Sequence, residues 1–179
     1  MREIPVHLFF AVLPPDSIAP KIAALGATLL RAHRLSGKQI TQDRLHTTMA
    51  AVHDPLRPLA SAVTRAKLVG ANIRHSPFPV CFEWSESFLH SGQRHPLVLR
   101  GGNGVRALIG FQRELGGQMR QAGFAVAGSF TPHITLLWAP CCVEAYPIAP
   151  IHWMVRDFAL ILSLVGQSRH IPLARWQLG

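Results

Sequence analysis

Two hydrophobic periods alternate along the chain, and this alternation constrains the fold more than any other feature. Apolar residues fall at every second position in residues 6–12 and 78–84, which predicts half-buried β-strands. Three other segments carry apolar residues at helical spacing, so each presents a single apolar stripe. A helix with one apolar stripe must pack against something on one side, and a sheet is its natural partner. The pattern therefore predicts the α+β class.

The three helices have sequence signals at their ends. The first follows residues 14–16, and the third runs from residues 101–103 to Gly123. The second is predicted to begin at Asp54, a capping carboxylate, with Pro55 in the first helical position. The apolar stripe of the third helix consists of Val105, Leu108, Gln112, Leu115 and Met119.

The remaining strand predictions lie between and after the helices. They cover residues 45–52, 96–100, 133–138, 153–163 and 171–178. Residues 140–150 are rich in proline and predict one long surface loop.

The tripeptide pattern His-x-Thr occurs twice, each time in a predicted strand, as His46 with Thr48 and as His133 with Thr135. Residues two apart on a strand point to the same face, so each copy places an imidazole beside a hydroxyl. Histidine titrates near neutral pH and suits a general acid or base, while a hydroxyl can donate to phosphate oxygens. Two such pairs facing each other would form a phosphodiester-cleaving site that needs no metal.

The pattern by itself does not separate catalytic from structural histidines, because the chain contains ten histidines in 179 residues. The setting of the two copies favours function. Each lies on a strand in a comparable order of strands and helices, as in a degenerate internal duplication. We therefore predict two lobes with a cleft between them.

Charge and cysteine content indicate the partner and the compartment. Eighteen basic and nine acidic residues give a net charge of +9, which favours binding to a polyanion such as nucleic acid. Three cysteines without a spaced framework predict reduced thiols in the cytoplasm. The apolar run at residues 6–13 is too short to span a membrane, so no membrane association is expected. Arg106, Arg113 and Arg120 repeat along the third helix and favour a solvated face over an RNA contact.

The chain resembles the LigT-like branch of the two-histidine (2H) phosphoesterases over nearly its whole length. Residues 8–14 are similar to the family's opening strand, and residues 43–49 (DRLHTTM) to its first motif. Residues 130–137 (FTPHITLL) resemble the second motif and are the most specific stretch, while residues 163–178 fit the closing strands. The resemblance implies a single bilobal domain over residues 1–179. Its two mainly antiparallel sheets would have helices on the outside and a central cleft.

Members of this family are RNA 2′,3′-cyclic phosphodiesterases, historically called 2′-5′ RNA ligases. The resemblance implies that His46 and His133 hydrolyse a terminal cyclic phosphate on RNA to a 2′-phosphate, with Thr48 and Thr135 on the phosphate. It implies no metal and no cofactor, a monomer, and a reaction reversible as a 2′-5′ ligation. Two alternatives stay open: a substrate that is a small cyclic nucleotide or a 2′-5′ oligonucleotide, or a non-catalytic role in binding RNA ends. The sequence does not say which histidine is the base.

Three departures from the family pattern bear on substrate contacts. An aromatic residue and glycine often continue the first motif, where this chain has residues 51–53. An arginine often follows the second motif at the place of Trp138, and a tyrosine commonly stands at the place of His170. We predict Arg100, Trp138, Arg169 and His170 as substrate-binding residues. For Trp138 two roles stay open, stacking on a base and packing in the core.

Overall fold

The structure is a computed structural model that describes residues 5–54 and 57–179. Within these residues the chain forms three α-helices and nine β-strands. The helices are α1 (Ala19–Ala32), α2 (Leu59–Asn72) and α3 (Arg106–Gln121). The strands are β1 (Val6–Val12), β2 (Lys38–Gln39), β3 (Thr47–Ala51), β4 (Phe78–Ser87), β5 (His95–Arg100), β6 (His133–Ala139), β7 (Tyr146–Val155), β8 (Asp157–Leu164) and β9 (Arg169–Gln177). None of the described helices is long and apolar enough to cross a membrane.

The strands form two antiparallel sheets, as the predicted fold class requires. The first sheet has the order β3-β1-β8-β9, and the second has the order β2-β6-β5-β4-β7. The strand of the first His-x-Thr motif, β3, therefore lies in one sheet, and the strand of the second motif, β6, lies in the other. The predicted α+β class with two mainly antiparallel sheets is confirmed.

The first sheet buries one face and leaves the other toward the cleft. Phe10, Phe158 and Trp176 pack ring against ring on the buried face, with the centroids of Phe158 and Trp176 5.1 Å apart. Helix α2 crosses this cluster at Gly70, where an added Cβ would lie 2.5 Å from the indole ring of Trp176. Because side chains alternate along a strand, Phe9 points to the opposite face, which lines the cleft.

The second sheet also has one face buried in the core and one face toward the cleft. Ile134 and Leu136 of β6 are fully buried in the core, and α1 packs outside this strand, where Gly26 approaches Leu136. The alternate residues His133 and Thr135 therefore point away from the core. The two faces that carry the motifs enclose the cleft. One cluster of buried residues includes side chains from both sheets and all three helices.

Helices α1 and α3 lie where the sequence predicts them, but the predicted start of α2 is wrong. This helix begins at Leu59, and no side chain caps it. The carboxylate of Asp54 instead accepts a hydrogen bond from Arg65, whose Nη1 lies 2.5 Å from Oδ2. A capping carboxylate and an ion-pairing carboxylate look alike in sequence, because Arg65 is brought near only when α2 folds. Pro55 lies outside the described residues.

The predicted surface loop over residues 140–150 and the single strand over 153–163 are also wrong. The chain forms β7 from Tyr146 onward, breaks at Arg156, and continues as β8 in the other sheet. Strand β7 lies at a sheet edge, where prolines are tolerated because one side of the strand forms no ladder. Apolar segments lie on both sides of the charged pair Arg156 and Asp157, because both strands bury side chains in the shared core.

Candidate active site

His46 is held at both ring nitrogens. A short 3₁₀ turn, Gln42–Arg44, precedes β3 and brings the Arg44 carbonyl oxygen within 2.7 Å of Nδ1 of His46. A carbonyl only accepts, so Nδ1 carries the hydrogen and Nε2 is the free basic nitrogen of the neutral ring. This Nε2 lies 3.1 Å from the hydroxyl of Thr48, which donates to it. The Phe9 ring stacks on the imidazole at a centroid distance of 5.0 Å.

His133 is held in a similar way at the start of β6. Its Nδ1 donates to the carbonyl oxygen of Thr131 at 2.8 Å, which again leaves Nε2 as the free basic nitrogen. The ring of Phe88 meets this imidazole edge-on at a centroid distance of 5.0 Å. In both motifs the residue two positions before the histidine therefore fixes the tautomer through its carbonyl group.

Side chains from both sheets enclose a cleft cavity of about 550 Å³, which we call the Arg44 cavity. It contains three of the four predicted catalytic residues, His46, Thr48 and Thr135. Two of the predicted substrate-binding residues, Trp138 and His170, also line it. Residues far apart in sequence are thus brought together around one cavity.

The fourth predicted catalytic residue, His133, lines an adjoining cavity of about 570 Å³. We call this second space the Phe130 cavity. The two cavities share Thr48, Ala51 and His53 as lining residues. The residues of the two His-x-Thr motifs therefore line two adjoining cavities.

The surroundings lower the pKa of both motif histidines. Burial lowers the pKa of His46, a hydrogen bond to the Arg44 carbonyl opposes this, and the positive charges of His133 and Arg44 lower it further. Burial also lowers the pKa of His133, against the raising effect of the hydrogen bond to Thr131. The charge of His133 acts on His46, so the two titrations are coupled and a proton on one ring disfavours a proton on the other.

His170 is a third histidine at the site. Its ring meets the ring of His46 edge-on at 5.1 Å and lies 5.5 Å from Phe9. Burial lowers the pKa of His170 to about 4, helped by the positive charges of His46 and Arg44, while Asp43 opposes the shift. His170 is therefore neutral at physiological pH and contacts the ring of His46 as an uncharged group.

The other two predicted substrate-binding residues, Arg100 and Arg169, do not line either cavity. Arg100 lies opposite His133 in the β5–β6 pairing, and its guanidinium forms an ion pair with Glu86. Arg169 is exposed and precedes His170 in β9, so its side chain points to the opposite face of the sheet. The helix residues Arg106, Arg113 and Arg120 are exposed, as their spacing predicts.

Arg44 is a site residue that sequence reasoning did not single out, although it lies within the first motif. It lines the cavity named after it, and its Nε is buried without a hydrogen-bond partner among the described residues. It forms no ion pair with a carboxylate within residues 5–54 and 57–179. Two further lining residues, His7 and Ser163, lie opposite each other on β1 and β8, next to His170 on β9. The alternation of side chains along β1 could have indicated that His7 faces the cleft, on the same side of the strand as Phe9.

Solved structures share this fold over nearly the whole chain. A crystal structure described as a phosphoesterase matches with a TM-score of 0.77 and 27% identity, covering 97% of this chain and 99% of that one. Escherichia coli LigT in its apo form matches with a TM-score of 0.76 and 27% identity, covering 98% and 99%. TT0787 of Thermus thermophilus shares the fold at 20% identity, with a TM-score of 0.75 and coverage of 96% and 97%. No protein-family model and no curated protein matches the sequence.

The fold, the paired motifs and these neighbours define a phosphoesterase enzyme. The chain belongs to the 2H phosphoesterase superfamily and has the LigT-like fold. Within the described residues, no three histidine, cysteine, aspartate or glutamate side chains are grouped so that they could hold a metal ion.

Proposed function

We propose that the chain is a metal-independent RNA 2′,3′-cyclic phosphodiesterase in which His46 and His133 are the acid–base pair. The observation that carries the proposal is the matched restraint of the two imidazoles. Each Nδ1 donates to a carbonyl oxygen two residues earlier, which leaves Nε2 as the basic nitrogen of each ring, and the two rings line adjoining cavities. A reaction that needs a base on one side of a phosphate and an acid on the other fits this arrangement.

In the proposed reaction one histidine takes a proton from water, and the resulting oxygen attacks phosphorus. The bond from phosphorus to the ribose 3′-oxygen breaks, and the second histidine gives its proton to that oxygen. The product carries a 2′-phosphate. The hydroxyl of Thr135, and that of Thr48 once it turns away from Nε2 of His46, donate to the non-bridging oxygens as negative charge grows there.

One histidine must be protonated at the start, although burial lowers the pKa of both. A bound phosphate diester supplies a negative charge beside the two rings, and this raises the pKa of whichever ring is nearer. The mutual repulsion of the two imidazolium forms keeps the other ring neutral. Substrate binding would thus create the unequal protonation that the reaction needs.

RNA is the proposed partner because the net charge of +9 attracts a polyanion and because Arg44, whose Nε has no hydrogen-bond partner among the described residues, places a guanidinium in the cleft. Small cyclic nucleotides are the second candidate class. Crystal structures of Escherichia coli LigT contain 3′-AMP or ATP, and a cavity of about 550 Å³ has the size of a site for one nucleotide. A monomer in the cytoplasm and a reversible 2′-5′ ligation remain predictions from the sequence.

The test is to incubate the protein with RNA ending in a 2′,3′-cyclic phosphate and with mononucleoside 2′,3′-cyclic phosphates, in EDTA, and to map the product ends. We expect 2′-phosphate ends from the wild type and almost none from His46→Ala or His133→Ala. Full turnover by either variant would overturn the acid–base assignment. Tight RNA binding without cleavage would favour a binding protein, and turnover of mononucleotides alone would favour the second class.

A further inference from the structure

The Phe130 cavity is not needed for the proton transfers, yet it opens directly beside them. It has a volume of about 570 Å³, within the range of sites that hold a small organic ligand. Thr48, Ala51 and His53 belong to its walls and to those of the Arg44 cavity. Ala51 is exposed and presents only a methyl group, so the passage between the cavities stays open. A group attached to a phosphate at the motif junction can therefore extend into this second space.

The walls of the Phe130 cavity are mainly apolar, and they lack the permanent positive charge that Arg44 gives the other cavity. Val126 and Phe130 supply apolar surface, and among the described lining residues there is no lysine, arginine, aspartate or glutamate. A second phosphate would find no lysine or arginine here. An uncharged ring system would find an aromatic side chain to stack on and little polar surface to desolvate.

One amide, that of Gln112, lines this apolar cavity. Gln112 occupies the apolar stripe of α3 between Leu108 and Leu115, both of which are completely buried. It is half-buried and faces the Phe130 cavity. An amide carries both donors and an acceptor, which is what the edge of a nucleobase pairs with. The cavity thus explains why a polar residue, Gln112, occupies one position of the apolar stripe of α3.

We propose that the Phe130 cavity is a nucleobase subsite, in which the base stacks on Phe130 and meets the amide of Gln112 while its phosphate lies between the two motifs. The inference rests on the proposed function for the placing of the phosphate. It assigns the base to the His133 side of the site and not to Trp138, which lies in the Arg44 cavity.

The experiment measures binding, so it does not depend on turnover. Isothermal titration calorimetry compares adenosine 2′-monophosphate with inorganic phosphate as ligands. Stacking of a base on an aromatic side chain contributes about 1–3 kcal/mol, so Phe130→Ala should weaken nucleotide binding about 5- to 150-fold and leave phosphate affinity unchanged. Ala127→Trp, at an exposed wall position, should weaken nucleotide binding in the same selective way by filling the cavity.

Trp84→Ala is the matched control, because Trp84 is 42% exposed and lines neither cavity. It should leave both affinities at wild-type values. Selective loss in Trp138→Ala, with Phe130→Ala and Ala127→Trp unchanged, would place the base in the Arg44 cavity and overturn the subsite. Equal loss of phosphate affinity in Phe130→Ala and Ala127→Trp would overturn it as well.

The binding experiment also tests the proposed subsite independently of the proposed reaction. If the wild type hydrolyses no cyclic phosphate but Phe130→Ala still loses nucleotide affinity selectively, the proposed function fails and the subsite stands. Gln112→Leu adds a readout that a purely structural role would not move. It should change the ranking of the four nucleoside 2′-monophosphates, because only the edge of the base differs in hydrogen bonding among them.

Discussion

The two His-x-Thr motifs are alike in how they hold their histidines and unlike in what surrounds them. In both, Nδ1 donates to the carbonyl oxygen two residues earlier, at 2.7 Å for His46 and 2.8 Å for His133. His46 also accepts from Thr48, stacks on Phe9 and contacts His170. His133 has a single aromatic neighbour, Phe88, among the described ring contacts.

The repeated motif gives both histidines the same hydrogen bond at Nδ1, while the neighbouring residues give them different electrostatic surroundings. The pKa of His46 is lowered by burial and also by the positive charges of His133 and Arg44. The pKa of His133 is lowered by burial. Equivalent positions in a duplicated pattern can therefore take different protonation states, which an acid–base pair requires.

The largest expected effect comes from removing either imidazole. His46→Ala and His133→Ala should each lower kcat on an RNA 2′,3′-cyclic phosphate about 10²- to 10⁴-fold, because each removes one proton-transfer group. The double variant should lose little more than the worse single variant if the two act as one unit. Single-turnover assays at saturating enzyme would measure this, and losses that multiply in the double variant would contradict a coupled pair.

Removing one hydroxyl should have the next largest effect. Thr48→Val and Thr135→Val should each lower kcat about 10²-fold if each hydroxyl donates to the phosphate in the transition state. The larger loss is expected for Thr48, because its hydroxyl also bonds Nε2 of His46. Thr64→Val is the matched control, since the Thr64 hydroxyl bonds the Ala60 carbonyl on α2. Equal and small losses at Thr48 and Thr135 would argue against phosphate contacts.

Removing the cation beside His46 should change the pH dependence. Arg44→Met removes a positive charge that lowers the pKa of His46 and of His170, so both pKa values should rise. The acidic limb of the kcat/KM profile should move to higher pH if His46 acts as the base, and KM should increase through the lost phosphate contact. Nuclear magnetic resonance titration of the histidine ring protons would measure the shifts directly. An unchanged His46 titration would contradict the assigned influence of Arg44.

The smallest expected effect concerns stability at acid pH. The folded pKa of His170 is about 4, below the ordinary value of 6.5, so the unfolded chain binds more protons between these values. The stabilisation is complete above about pH 6.5 and is lost as the pH falls toward 4. His170→Gln should therefore show a Tm decline over this window that is smaller by a few degrees. Thermal denaturation at several pH values checks this, and an identical decline in both proteins would contradict it.

Much of the fold could be predicted from the sequence because it follows local periodicity. The apolar stripes of α1 and α3 and the alternation in β1 and β4 are set by side chains a few residues apart. The start of α2 and the break between β7 and β8 could not be read in this way. Asp54, predicted to cap α2, forms an ion pair with Arg65, and the chain changes sheets at the charged pair Arg156 and Asp157, which does not by itself say which sheet either strand joins.

In the candidate site, too, some features follow from local sequence and others depend on tertiary contacts. The four motif residues could be predicted from the sequence, because a spacing of two along an extended segment places each imidazole and hydroxyl on one face. The contact of Arg100 with Glu86, the contact of His170 with His46 and the mainly apolar cavity beside Phe130 became visible in the folded structure alone. These contacts join strands, helices and loops distant in sequence, and no local period records which of them the folded sheets bring together.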